Sequence, residues 1–533
     1  MNRVREWAPL AAAFAALMAV TFWLRPLLPI DETRYLGVAW EMWLRGDWLV
    51  PFKNGETYSH KPPLLFWLMN AGWHVFGVNE WWPRLVHPLF GLASLGLCAA
   101  IAKRLWPGLR DAANYAPYFL FGCLWWTVFQ TTTMFDMMVV FFVELGVLGL
   151  LCVKDHRAYR GWTLLALALG FGILAKGPVL FLFLLPLMLL GPWAFAPTVS
   201  KAKWFLGMTL AIFGGAGIAL AWAIPAGKAG GEAYQTAIFW GQSAGRMAES
   251  FAHARPIWWY LALLPGLLFP WFFWPEAWKA VRGPKSDGAV RLCWLWVAAP
   301  LLAFSLVSGK QPHYLLPMFP ALALLAARGL AIRGAAEIVN VRLPGVILAG
   351  LGGFILTIVL FPSQSPWPQV TTELSPLWGG ALMLGGLFLI FYPSPRRRLA
   401  VKRLFLASPL FVAVLHGAGF GPLADSYDMA PIGKSIHAIQ EGSHEVAHLG
   451  GYHNEYAFVG RLEQPLHEVL QLEALIAWAH LHPNAFAVVR KDHHQANTFW
   501  VPEVLKHAVV RRPYRTNEVA LVPVSALLAL PTL

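Results

Sequence analysis

Between Pro29 and Pro63 the chain gathers ionisable side chains that its neighbouring segments lack: Asp31, Glu32, Arg34, Glu41, Arg45, Asp47, Lys53, Glu56, His60 and Lys61. Charge set beside a membrane-length apolar run is costly to desolvate, so it usually serves chemistry or ion handling. Further along, Asp136, Lys176, Arg246, His253 and Lys310 recur at the ends of other apolar runs. Cations gathered with one or two acids at such a boundary suit an anionic substrate, Arg by bidentate hydrogen bonds and Lys as a point charge. A phosphate leaving group needs charge stabilisation more than a proton. What remains is a carboxylate to deprotonate or orient the attacking group, and Asp31 is the best placed.

Each of these residues also has a plainer reading. Glu32 and Arg34 suit a pair or a cap at the start of a helix. Asp136 suits a helix N-cap. Lys176 and Lys310 suit lysines snorkelling to headgroups, and His60 and His253 suit interfacial hydrogen bonding. His493 and His494 have no metal spacing, and the tryptophan pairs Trp125-Trp126 and Trp258-Trp259 fit interface belts.

The elements that must position these side chains are membrane helices. Of 533 residues, 57% are hydrophobic and 13% charged, far from a soluble average. Apolar runs long enough to cross a bilayer predict about thirteen spans. The expected spans are 7–28, 84–102, 113–131, 137–153, 161–175, 178–195, 204–225, 257–277, 291–307, 315–329, 343–361, 376–392 and 403–419. No small-residue cleavage site follows the first run, which reads as a retained helix. Between the first two spans, residues 29–83 form an outer loop. In it Tyr35, Ala39, Met42 and Trp43 share one face of an interfacial helix, and 64–77 is an apolar piece too short to cross.

The formal charge of +13 falls in short connections: Arg3 and Arg5, Lys103 and Arg104, Lys154 and Arg157, Lys201 and Lys203, Arg396 to Arg398. All lie on one side when the spans are numbered in order, which predicts a cytoplasmic N-terminus and anionic lipid headgroups, not nucleic acid, as partners. Cys98, Cys123, Cys152 and Cys293 read as buried hydrophobes, with no disulfide or metal spacing. Residues 1–419 are therefore expected to form the membrane domain. Residues 420–533 are expected to form a small periplasmic α/β domain, with strands at 485–489 and 518–522 and a helix around 467–479.

The loop IDETRYLGVAWEMWLRGDWLVPFKNGETYSHKPPLLFW resembles the first outer loop of the bacterial aminoarabinose transferases that modify lipid A, within the protein-mannosyltransferase-like GT-C superfamily. Similarity continues through Phe135-Asp136, the Ala-Lys-Gly turn at 175–177, HARPIWWY at 253–260 and GKQPHYLLP at 309–317. The resemblance implies a GT-C fold and sugar transfer from a polyprenyl phosphate, undecaprenyl phosphate, at the periplasmic face of the inner membrane. It makes Asp31 the catalytic acid with Asp136 and Glu32 beside it, Lys61 and Arg246 the ligands of the carrier phosphate, and Lys176, Lys310 and Tyr314 the lining of the same cavity. The aminoarabinose members carry Glu where this chain has His60; that acid goes with a zinc ion and a histidine matching His253, so His60 and His253 form the metal candidate here. The acceptor implied is lipid A or other lipopolysaccharide, with a monomer as the acting form. Protein O-glycosylation within the same superfamily is the alternative reaction, and a lipid-carrier transporter the alternative class.

Overall fold

The structure, a computed structural model, describes residues 2–194, 198–241, 254–281, 287–333, 339–364, 373–491, 501–515 and 517–529. The chain divides into two compact units. One joins Met1–Trp23, His60–Leu65 and Glu80–Ala418; the other joins Leu24–Ser59, Phe66–Asn79 and Gly419–Leu533.

The first unit is helical, as uninterrupted apolar sequence demands where backbone groups must be satisfied within the segment. Among the described residues, nine helical segments are long and apolar enough to cross a membrane. The other four expected spans coincide with shorter or broken helices: Arg110–Phe121 with Leu124–Gln130, Phe181–Ala194, Trp259–Leu267, and Pro376–Phe391. The helix lengths thus establish a multi-pass membrane protein and not the count of thirteen.

Two of the four are broken for a visible reason. The first breaks at Gly122-Cys123 and the second ends at Leu268, just before Pro270. The two breaks meet. Leu124 N–H donates to Phe269 O at 2.8 Å, and the Ser408 hydroxyl reaches Gly122 O at 2.7 Å and Phe269 O at 3.3 Å. Freed backbone groups are thereby re-satisfied inside the protein, the condition for a broken helix at membrane depth.

Helix Asp136–Lys154 packs along Ala158–Lys176 at unusually close range. A Cβ on Gly149 would stand 2.7 Å from Gly161 O, and one on Gly161 would stand 2.5 Å from Gly149 O. Small residues of this kind let two membrane helices touch backbone to backbone.

In the second unit, helix Asp31–Arg45 forms as expected and ends at Gly46, whose φ of 63° favours glycine. The hairpin β1 (Phe52–Lys53) and β2 (Glu56–Thr57) follows, and Leu64–Phe76 is the second short apolar helix. Glu41 accepts from Asn54 N, Gly55 N and Asn454 Nδ2, while Lys53 Nζ donates to Tyr452 O at 2.8 Å. The apolar side of Asp31–Arg45 is used in packing: Trp40 meets Phe458 edge-on and donates to Leu462 O at 2.8 Å.

Beyond Gly419 the α/β region expected from sequence is present. Its sheet runs β4 (His467–Val469), β3 (Val446–Leu449), β5 (Phe486–Lys491), β7 (Asn517–Pro523), β6 (Val510–Tyr514), with β4, β3 and β5 parallel and β7 antiparallel to β5 and β6. Side chains alternate between its faces. Ala487, Val489, Ala520 and Val522 pack with Leu475 and Ala479 of helix Leu472–Leu481. Val488, Val519 and Leu521 pack on the other side with Ile432 and Ile436 of helix Ala430–Glu441. One expectation needs correcting: 467–469 is a strand paired with β3, and the helix begins only at Leu472.

Candidate active site

The antiparallel packing of helices Asp136–Lys154 and Ala158–Lys176 sets the N-terminus of the first beside the C-terminus of the second. Lys176 Nζ donates to Asp136 Oδ1 at 2.7 Å, an ion pair between residues 40 positions apart in sequence. Asp136 is only 3% exposed, and its Oδ2 has no hydrogen-bond partner among the described residues. The first turn of its helix has no side-chain cap of its own. Instead His87 Nε2, from helix Trp81–Leu105, accepts the Met137 N–H at 3.0 Å and so fixes the backbone that carries Asp136. After Lys176 the chain turns sharply at Gly177, with φ of 75°.

Around this pair lies a cavity of about 410 Å³. Its polar wall is His60, Lys61, Asp136, Lys176, His313 and Tyr314; Val139, Val179, Leu182, Phe183 and Phe304 form an apolar wall. Lys61 Nζ stands 5.9 Å from the centre of the Phe135 ring, and Lys176 Nζ 5.8 Å from that of Tyr314. Tyr314 is wedged between Phe304 and His313, with ring centres 5.4 and 4.8 Å away. Among the described lining residues, two ammonium groups and one carboxylate stand beside a hydrocarbon wall. That combination matches a phosphate attached to a lipid chain.

A family model described as dolichyl-phosphate-mannose-protein mannosyltransferase matches residues 60–222, the stretch that includes Lys61, Asp136 and Lys176. The undecaprenyl phosphate-alpha-4-amino-4-deoxy-L-arabinose arabinosyl transferase of Pseudomonas paraeruginosa is 32% identical over 372 residues, 68% of this chain and 66% of that protein. The relative of the same name from Erwinia tasmaniensis is 31% identical over 441 residues, 78% of this chain and 76% of its own. The chain belongs to this arabinosyl transferase family. The crystal structure of ArnT from Cupriavidus metallidurans bound to undecaprenyl phosphate shares the fold, with a TM-score of 0.72 at 20% identity over 98% of this chain and 99% of that one. As an arabinosyl transferase relative, the chain is thus a GT-C membrane protein with a C-terminal sheet region.

The expected family residues that are described fall into three groups. His60, Lys61, Asp136, Lys176 and Tyr314 are brought together on one cavity. Lys310 is buried next to it: its ammonium donates to Arg255 O at 3.0 Å and to Val307 O, so it braces the turn and is not part of the cavity lining. Asp31 and Glu32 belong to the second unit.

There the two acids part company. Glu32, expected as a catalytic acid, is 3% exposed and clamped by Arg25 through two hydrogen bonds of 2.6 and 3.0 Å, with Leu28 N–H adding a third at 2.9 Å. A carboxylate so bound anchors the start of its helix. Asp31 has a side chain 52% exposed. Arg34 Nη2 and Tyr35 O–H, the latter at 3.3 Å, both donate to its Oδ1. Burial, with the Asp31 carboxylate beside it, pushes the Tyr35 phenol well above its usual range and keeps it a donor.

Arg246 and His253, like His493 and His494, lie outside the described residues. Among the described residues no three His, Cys, Asp or Glu side chains stand together as a metal site, so His60 and its described neighbours do not by themselves compose one.

Three residues of this arrangement escaped sequence reasoning. His313 sits in the GKQPHYLLP stretch next to Tyr314, so its motif was a usable signal. Arg25, seven positions before Glu32, was a lone cation at the end of an apolar run. His87 gave no signal, because its role depends on a helix fifty residues away.

Proposed function

We propose that this chain is an inner-membrane glycosyltransferase that moves a 4-amino-4-deoxy-L-arabinose-like sugar from undecaprenyl phosphate to lipid A or related lipopolysaccharide. Its N-terminus lies in the cytoplasm and its C-terminal region in the periplasm. The observation that carries this reading is the cavity in which Lys61 and the Asp136–Lys176 pair face a hydrocarbon wall, within a chain of the arabinosyl transferase family. The donor's phosphate is bound by Lys61 and Arg246, while its isoprenoid chain follows the apolar wall. The bond from the anomeric carbon to the carrier phosphate oxygen breaks with its electron pair leaving on the phosphate, whose charge the cations stabilise. The acceptor oxygen attacks from the opposite face, so the anomeric centre inverts.

Asp31 is the acid of this scheme. With both of its hydrogen bonds among the described residues on Oδ1, its Oδ2 is the oxygen that orients the acceptor or, for a hydroxyl acceptor, removes its proton. Asp136 and Lys176 shape the floor of the cavity and hold each other's charge. No step of this scheme runs through a metal.

The deciding experiment is transfer in vitro from defined undecaprenyl-phosphate sugars to purified lipid A. The native chain modifies lipid A, and Asp31→Asn lowers turnover by about 10²–10⁴-fold, the range for a positioned acid or base. Unchanged turnover in Asp31→Asn would remove the role given to Asp31. A protein acceptor is the second reading, favoured by the protein-mannosyltransferase description of the family model that matches 60–222. Mass spectrometry of periplasmic proteins and of lipid A from a deletion strain separates the two.

A further inference from the structure

A second hollow, about 420 Å³ in volume, lies elsewhere in the first unit and shares no residue with the site above. Its walls come from helices Asn2–Leu24, Arg342–Leu360, Pro376–Phe391 and Ala407–Val414. Small side chains make the depression, among them Ala13, Ala16, Ala407 and Gly385. Every lining residue but one is hydrocarbon; the exception is Arg403.

That guanidinium is held in place. Its Nη1 donates to Tyr392 O at 3.0 Å, to Pro393 O at 3.4 Å and to Ser394 Oγ at 3.5 Å, and its carbon stands 5.3 Å from the Phe388 ring centre. All three bonds use one nitrogen, and no described carboxylate pairs with Arg403. Its neighbours differ: Arg398 and Lys402 are both paired with Glu6. An uncompensated, pre-positioned guanidinium at the end of an apolar groove is complementary to a phosphodiester that carries an alkyl chain.

We propose that this groove binds one anionic phospholipid, an acyl chain lying between the four helices and the phosphate resting on Arg403. Such a site is independent of the transfer reaction, which uses other residues. A lipid held there packs the otherwise concave flank formed by Asn2–Leu24 and Pro376–Phe391. Zwitterionic lipids offer the same chain but cancel the phosphate with their own cation, so Arg403 confers headgroup preference.

Native mass spectrometry of the detergent-solubilised full chain, titrated separately with phosphatidylglycerol, phosphatidylcholine and undecaprenyl phosphate, tests this. The expected preference for phosphatidylglycerol over phosphatidylcholine is about fivefold, the weight of one basic residue against an anionic headgroup. Arg403→Gln abolishes the preference and Arg403→Lys keeps most of it. Ala16→Leu, at an exposed position on the groove wall, lowers phosphatidylglycerol binding without disturbing packed side chains, and so decides the matter even if Arg403→Gln fails to fold. Equal binding of the two phospholipids, a preference that survives Arg403→Gln, or an Ala16→Leu effect confined to undecaprenyl phosphate would each overturn the proposal.

Discussion

Asp136 and Lys176 are each half of a buried ion pair, and burial makes the two halves unequal to their sum. Removing one partner leaves a charge with no counter-charge in a low-dielectric site, at about 3–5 kcal/mol. Asp136→Asn and Lys176→Met are each expected to lower the melting temperature markedly, and the double variant to recover much of the loss. Thermal unfolding of the four proteins forms the cycle. Losses that simply add would show that the pair is not coupled, despite its 2.7 Å contact. The same comparison explains what composition hid. Both residues were visible as boundary charges, but nothing in the sequence pairs positions 136 and 176. For Glu32 the converse holds: its acid type was visible, while the Arg25 fork that binds it was not.

For helices, the decisive contact is the one between Asp136–Lys154 and Ala158–Lys176 at Gly149 and Gly161. With opposing atoms already 2.5–2.7 Å from an added Cβ, no rotamer of a larger residue fits, so Gly161→Leu must push the helices apart. The expected outcome is a lower melting temperature together with reduced transfer, although residue 161 does not line the cavity. A variant with native stability and native kcat would show that the glycine contact does not hold the site. Spans were readable because apolar runs of bilayer length admit one solution. The broken spans at 113–131 and 257–277 were not, since hydropathy is blind to a carbonyl that finds its donor on another helix. Pro117 and Pro270 were the available hints.

Across the whole molecule, the sheet region offers a measurement of stability that leaves the membrane site untouched. His448 is fully buried on β3, with Nδ1 beside Gly450 O at 3.0 Å. Burial, aided by the nearby Arg490, lowers its pKa to about 3. The unfolded imidazole titrates near 6.5. Between those values the unfolded chain binds a proton that the folded chain refuses, so stability falls as pH drops from about 6.5 towards 3, by at most about 1.4 kcal/mol per pH unit. Scanning fluorimetry of the full chain between pH 7.5 and 5 should show this decline, and His448→Gln should flatten it. An unchanged slope in His448→Gln would assign the pH dependence to other groups. At this scale the sequence reading was most successful: short, continuous apolar runs at 485–489 and 518–522 announced the sheet, since runs of that length suit buried strands. The error at 467–469 arose because three residues are too few to declare a strand.

Ser408 gives one hydroxyl to two chain segments that are 147 positions apart, at Gly122 and Phe269. The two interruptions are therefore coupled through one side chain. A chimera that grafts only the 113–131 region of a relative into this chain inherits half of a three-part joint. Recombination among such enzymes should thus succeed where crossover points keep 122, 269 and 408 from the same parent, and yield misassembled membrane proteins where they do not.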